Sequence, residues 1–186
     1  MTFESKGVDN TGKLDNTLIL LDRHNLGDFD WVIMVDDDVE LPDQFTDTLL
    51  ALAEYADLKI CGPAHRAHSY WSYPITKRHK NALVRETNFA EVGPIVAFRR
   101  EIFHLVFPFP SLKYGWGIDS VWPTLIGREG WKTGIADGAA LRHVNPIGNT
   151  YNLQEATEEC EEYMSRFGID ADEHVLRTIA TIRDIA

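Results

Sequence analysis

The run Trp31-Val32-Ile33-Met34-Val35-Asp36-Asp37-Asp38 decides how the rest of the chain is read. Residues 30–35 read as a fully buried strand, because an apolar run without alternation suits a parallel sheet covered on both faces. Three carboxylates follow at once, and like charges this close repel unless a cation or a hydrogen-bond network offsets them. An acidic turn capping the next helix accounts for one or two aspartates. A divalent cation accounts better for three, because Mg²⁺ takes one or two protein carboxylates and fills its other positions with water and substrate phosphates. Asp36 and Asp38 are two apart on extended chain, so they point to the same side, at the strand end where open α/β sheets place ligands.

Working outward, Leu14, Leu18 and Leu21 recur at helical spacing and predict a helix from about Asp15 to His24, after a polar lead-in over residues 1–12. Phe45, Leu49, Leu52, Ala53 and Ala56 predict an amphipathic helix, and Leu58 to Cys61 a short strand. Residues 84–98 suit one or two strands, Arg100 to Val106 a short helix, and Thr133 to Ala136 and Ala140 to His143 two short strands. The C-terminal tail reads as helical, with one stripe from Leu153 to Phe167 and another through Val175, Ile179 and Ile182. Alternating strands and helices predict an α/β layered domain over residues 1–151, with a helical tail at 152–186 packed on it.

A chain of 186 residues with 25% charged and 44% hydrophobic residues suits a single domain with its own core. The net charge of -11 argues against nucleic acid as the main partner and suits phosphates met through a metal. Cys61 and Cys160 give neither a metal spacing nor a disulfide framework, which points to a reducing cytoplasm. No stretch reaches the ~18 apolar residues of a membrane helix, and no basic segment followed by an apolar core stands at the N-terminus, so no transmembrane segment is expected.

Several residues are candidates for chemistry. His143, at a strand end before Asn145, Pro146 and Gly148, is either a structural histidine or a third ligand beside Asp36 and Asp38. Asp119 follows Gly115-Trp116-Gly117 and opens a helix holding Ile118, Val121, Trp122, Leu125 and Ile126; it suits an N-cap, which would put Pro123 in the first turn, and also a general base. Trp116 reads as core or as a sugar-stacking wall. The segment from Gly62 to Asn81 reads as a long loop crowded with His65, Arg66, His68, Tyr70, Trp71 and Tyr73, suited to a sugar or nucleotide or simply to covering the sheet edge.

Together these motifs resemble the GT-A class of nucleotide-sugar-dependent glycosyltransferases, whose D-x-D motif after a buried strand corresponds to Asp36 to Asp38. Family 2 members carry a Gly-Lys then Asn pattern upstream, and Gly12, Lys13 and Asn16 stand in that place. Gly115 to Asp119 is similar to the Gly-Trp-Gly acidic motif of galactosyltransferases, whose acidic residues bind the acceptor and serve as base. From Asp30 to Tyr151 the order of motifs also resembles a GT-A-like family of unassigned substrate: the triple aspartate, Pro63-Ala64, Thr87 to Glu91, Gly115 to Asp119, and His143 to Pro146. GT-A domains begin with a strand–helix–strand unit that binds the nucleotide base, and the stretch before Asp36 is too short to hold it.

The resemblance implies a Rossmann-like mixed sheet flanked by helices and transfer of a sugar from a nucleotide-diphosphate donor to a glycan or lipid-linked acceptor hydroxyl, with inversion. It implies Mn²⁺ or Mg²⁺ held by Asp36, Asp38 and His143, donor binding by Lys13, Asn16 and Asp37, Asp119 as base, and acceptor binding by Trp116, Gly117 and Glu91. One rival is a metal- or carbohydrate-binding relative without catalysis. Another is a haloacid-dehalogenase-type phosphatase, whose motif wants Thr or Val where Glu40 stands.

Overall fold

The computed structural model describes residues 12–146 and 152–184. The polar lead-in before Gly12, and Gly148 and Tyr151 after His143, lie outside the described residues. Helix α1 (Lys13–Leu21) precedes β1 (Trp31–Val35), β2 (Val39–Glu40), α2 (Phe45–Tyr55) and β3 (Leu58–His65). Then come β4 (Val84–Thr87), β5 (Ile95–Arg99), α3 (Phe103–Val106), α4 (Ile118–Arg128), β6 (Lys132–His143), α5 (Leu153–Ser165) and β7 (Thr178–Ile182).

The strands form a mixed seven-stranded sheet in the order β1-β5-β3-β6-β4-β7, with β2 paired to β6 off this path. The β3–β6 pairing is parallel, whereas β1–β5, β3–β5, β4–β6 and β4–β7 are antiparallel. It follows that β1, β3 and β6 run the same way and end on one rim.

Alternate residues of the central strands feed opposite layers. Ile95 and Ala97 of β5 pack with Phe45, Leu49 and Leu52 of α2 on one face. Val96 and Phe98 pack on the other with α1, α3, α4 and α5, through Leu14, Val106, Trp122 and Met164. Trp122 meets Phe98 edge-on at 5.2 Å between ring centroids and Phe109 at 5.4 Å. Burying each such large side chain contributes roughly 1.5–3 kcal/mol, which makes this aromatic layer the anchor of α4.

Four expectations are corrected. The apolar run of β1 is not a fully buried strand of a parallel ladder: β1 is an edge strand antiparallel to β5, with Met34 buried, Trp31 to Ile33 half-buried and Val35 exposed. The second tail stripe is not helical: Thr178-Ile179-Ala180-Thr181-Ile182 is rich in β-branched residues and extends β4 at the sheet edge as β7. Val175 and Ile179 are exposed, so the helical spacing marked no buried face. The two strands expected at 133–143 are one strand, β6, whose register against β3 jumps between Ala136 and Leu141. Asp119 is not an N-cap; Gly117 caps α4 with φ 87°, and Pro123 falls in the helix interior.

The β6 irregularity has a structural use. Asp137 and Arg85 of β4 form an ion pair with both side chains fully buried, Nε to Oδ2 2.7 Å and Nη2 to Oδ1 3.1 Å. Their remaining bonds go to one segment: Arg85 donates to the carbonyls of Ile75 (2.8 Å) and Lys77 (3.0 Å), and the His79 N–H donates to Asp137 (2.7 Å). The expected loop from Gly62 therefore begins as strand up to His65, and its later half is clamped to the sheet.

Candidate functional site

The acidic turn crosses the rim where β3 and β6 end. The Asp36 N–H donates to the Pro94 carbonyl (2.9 Å) ahead of β5, and the Val144 N–H donates to the Asp38 carbonyl (3.0 Å) after β6. Because β3 lies between β5 and β6, the turn passes over its end at His65.

At one end of the turn, Lys13 Nζ sits 2.6 Å from Asp36 Oδ1 and 3.3 Å from the Val92 carbonyl, which it donates to. A Cβ on Gly93 would lie 3.3 Å from Lys13 Nζ and 3.4 Å from Asp36 Oδ2, so a side chain there would crowd the pair. Asn16 lies one turn along α1 on the face of Lys13. Asp37, between the two engaged aspartates, is exposed.

At the other end, His143 Nε2 is 2.9 Å from Asp38 Oδ2. A separate chain of contacts starts at its backbone: the His143 main-chain N–H donates to Ser69 Oγ (2.8 Å), that hydroxyl is 2.8 Å from His65 Nδ1, and His65 Nε2 is 3.1 Å from the Glu91 carboxylate. His143 Nδ1 is buried with no hydrogen-bond partner among the described residues.

Asp119, the second residue of α4, is held against the 90–92 segment twice. Its carboxylate accepts the Val92 N–H at 2.6 Å, and its carbonyl accepts the Ala90 N–H at 3.1 Å. Pro123, four residues on, has no N–H to claim that carbonyl, which leaves it for Ala90. Burial, then the charge of Glu91, pushes the Asp119 carboxyl up to about 7, against the lowering pull of the Val92 N–H and of Lys13. Tyr73 packs tilted against Phe89 with ring centroids 4.5 Å apart, and its hydroxyl is pushed up by burial and by the nearby Asp119 charge.

Lys13, Asp36, Asp38, His143, Glu91 and Asp119 thus gather on one rim. Gly117 has a packing role there: a Cβ would meet Met164 Cγ at 3.1 Å and the Cys160 carbonyl at 3.2 Å, so glycine lets α4 start against α5. Trp116 beside it is half-buried. Ser69, which joins the two histidines, left no sequence signal, because its partners lie four residues back and on a distant strand.

Among the described residues, no group of three or more His, Cys, Asp and Glu stands ready to hold a metal ion. Asp36 is taken by Lys13. Asp38 and His143 remain as a pair, one oxygen and one nitrogen 2.9 Å apart. Neighbouring ligands of an octahedral ion with 2.0–2.1 Å bonds lie roughly 3 Å apart, and two protein ligands suffice where substrate phosphates complete the shell. The spacing of the pair matches two neighbouring ligands of such an ion, which would take the place of the proton they now share.

No helix among the described residues is long and apolar enough to cross a membrane. No protein-family model matches the sequence, and no curated protein matches it.

Proposed function

We propose that this chain is a metal-dependent glycosyltransferase of the GT-A type, moving a sugar from a nucleotide-diphosphate donor to an acceptor hydroxyl with inversion. The observation that carries the proposal is the Asp119 carboxyl, buried against the Val92 N–H at 2.6 Å and raised to about 7 by burial and by the charge of Glu91. A base works best when its pKa lies near the working pH, and buried carboxyls with raised values cluster at functional sites.

Asp38 and His143 would hold Mn²⁺ or Mg²⁺, which supplies Lewis-acid stabilisation of the leaving diphosphate. Lys13 and Asn16 face the donor side with Asp36. Glu91, its carboxylate fixed by His65, orients the acceptor hydroxyl. Asp119 takes the hydroxyl proton while the acceptor oxygen bonds to the anomeric carbon and the bond from that carbon to the diphosphate oxygen breaks. Attack opposite the leaving group inverts the centre.

The test is calorimetry of UDP and GDP with and without Mn²⁺, followed by transfer from labelled UDP- and GDP-sugars. Cooperative binding of nucleotide and Mn²⁺ is expected, lost in the Asp38→Asn/His143→Ala double variant. Absence of nucleotide binding under every condition removes the proposal; cooperative binding with no transfer or donor hydrolysis points to the non-catalytic relative.

A further inference from the structure

Beside the acidic turn lies an open cavity of about 540 Å³ whose lining includes Arg66, His68, Trp71, Lys77, Arg78 and Lys80, and no acidic residue. In a chain of net charge -11 this is a local inversion of sign. Arg66, Lys77, Arg78 and Lys80 have no carboxylate partner among the described residues, although most other cations of the sheet and helices do. Arg66 donates through Nη2 to the Glu40 carbonyl (2.9 Å), while its Nε is buried without a partner. Lys77 Nζ lies 3.6 Å from the Trp71 ring centroid, with no counter-ion.

Four like charges in one cavity repel, so an unsupported loop would splay them. This loop is supported. The fully buried Arg85–Asp137 pair spends its spare hydrogen bonds on Ile75, Lys77 and His79, and the Arg78 N–H donates to the His65 carbonyl at 2.9 Å. Charges held together by backbone clamps and left without a counter-ion form a preorganised anion site.

We infer that this cavity binds a phosphate monoester carried by the acceptor. A phosphate monoester brings nearly two negative charges and three strong acceptor oxygens, which suits the Arg78 guanidinium fork, the remaining edge of Arg66 and two ammonium groups better than a single carboxylate does. Trp71 offers an apolar surface for the sugar or chain that bears the phosphate. The cavity shares His65 and Ser69 with the contacts that hold Glu91, so a phosphate there places its carrier at the acceptor side. The assignment to the acceptor rests on the glycosyltransferase reading; the anion site itself does not.

The probes are glucose 6-phosphate and dodecyl phosphate, titrated calorimetrically without metal, with glucose as the neutral control. Both phosphate esters are tested against the full chain, the exposed-residue double variant Arg78→Gln/Lys80→Gln, and Asp38→Asn. Binding of either ester, weakened roughly tenfold or more in the double variant and within twofold of normal in Asp38→Asn, is the expected result. Preference for glucose 6-phosphate marks a soluble sugar phosphate, and preference for dodecyl phosphate a lipid-linked one. Binding no tighter than glucose, or equal loss in Asp38→Asn, overturns the inference. Cooperative UDP and Mn²⁺ binding in the double variant reads out the glycosyltransferase proposal separately.

Discussion

The acidic turn and the basic loop are neighbours on one rim and are built in opposite ways. In the turn the side chains are engaged: Asp36 with Lys13, Asp38 with His143. In the loop the cationic side chains have no carboxylate partner among the described residues, and the backbone is engaged instead, through Arg85 and Asp137. Side-chain partners tune the charge of a group. Backbone partners fix its place and leave its charge for something else.

The largest expected effect breaks the clamp. Arg85→Ala leaves the Asp137 carboxylate buried with no cation, a loss of about 3–5 kcal/mol in urea unfolding. An Arg85→Met/Asp137→Leu variant restores much of that stability, because it removes both buried charges. It also removes the anchors of Ile75, Lys77 and His79, so amide exchange over residues 75–80 should accelerate in a folded protein. Unchanged protection there shows that the loop is held by something other than the ion pair.

The next effect tests the acidic side. Asp119 has a native pKa of about 7 against an ordinary 3.8, so between those values the folded chain holds a proton that the unfolded chain has released. Stability contributed by this group is therefore present below pH 4 and declines as the pH rises toward 7, by on the order of 4 kcal/mol if it acts alone. Asp119→Asn keeps an oxygen for the Val92 N–H and removes the titration. Its unfolding free energy should exceed that of the parent at pH 8 by up to a few kcal/mol and lose the decline between pH 4 and 7. Sugar transfer should fall by roughly 10²–10⁴-fold. A variant that is less stable at pH 8, with the decline intact, identifies Asp119 as an ionised structural ligand.

The same contrast explains what the sequence could reveal. Short-range patterns were legible: the α2 stripe from Phe45 to Ala56 is the helix that covers β3 and β6, and the apolar run 31–35 is a strand ending at the aspartates. Asp38 and His143 were readable as candidates from their strand ends and are 2.9 Å apart. The burial and direction of β1 were not, since an apolar run reports neither its place at the sheet edge nor the direction of its neighbour. Val175, Ile179 and Ile182 fit a helical period by spacing alone, and only the open edge of β4 decides for a strand. The Arg85–Asp137 clamp joins residues 52 positions apart, each unremarkable in its own neighbourhood.

Lys13 links the two halves of the acidic site and gives the smallest effect. A cation at the first residue of a helix opposes the positive end of the helix dipole, so the local rule is broken where Asp36 rewards it. Both side chains of this pair are about a third exposed, and water screens them; Lys13→Met should change stability by less than about 1 kcal/mol. Its sharper consequence falls on Asp119, which Lys13 holds down. Without that charge the Asp119 carboxyl rises further, and the pH range over which stability declines should extend to more alkaline values. The pH dependence of urea midpoints in Lys13→Met, compared with Lys13→Met/Asp119→Asn, isolates this coupling. An unmoved range in the single variant separates Lys13 from the base and leaves it a partner of Asp36 alone.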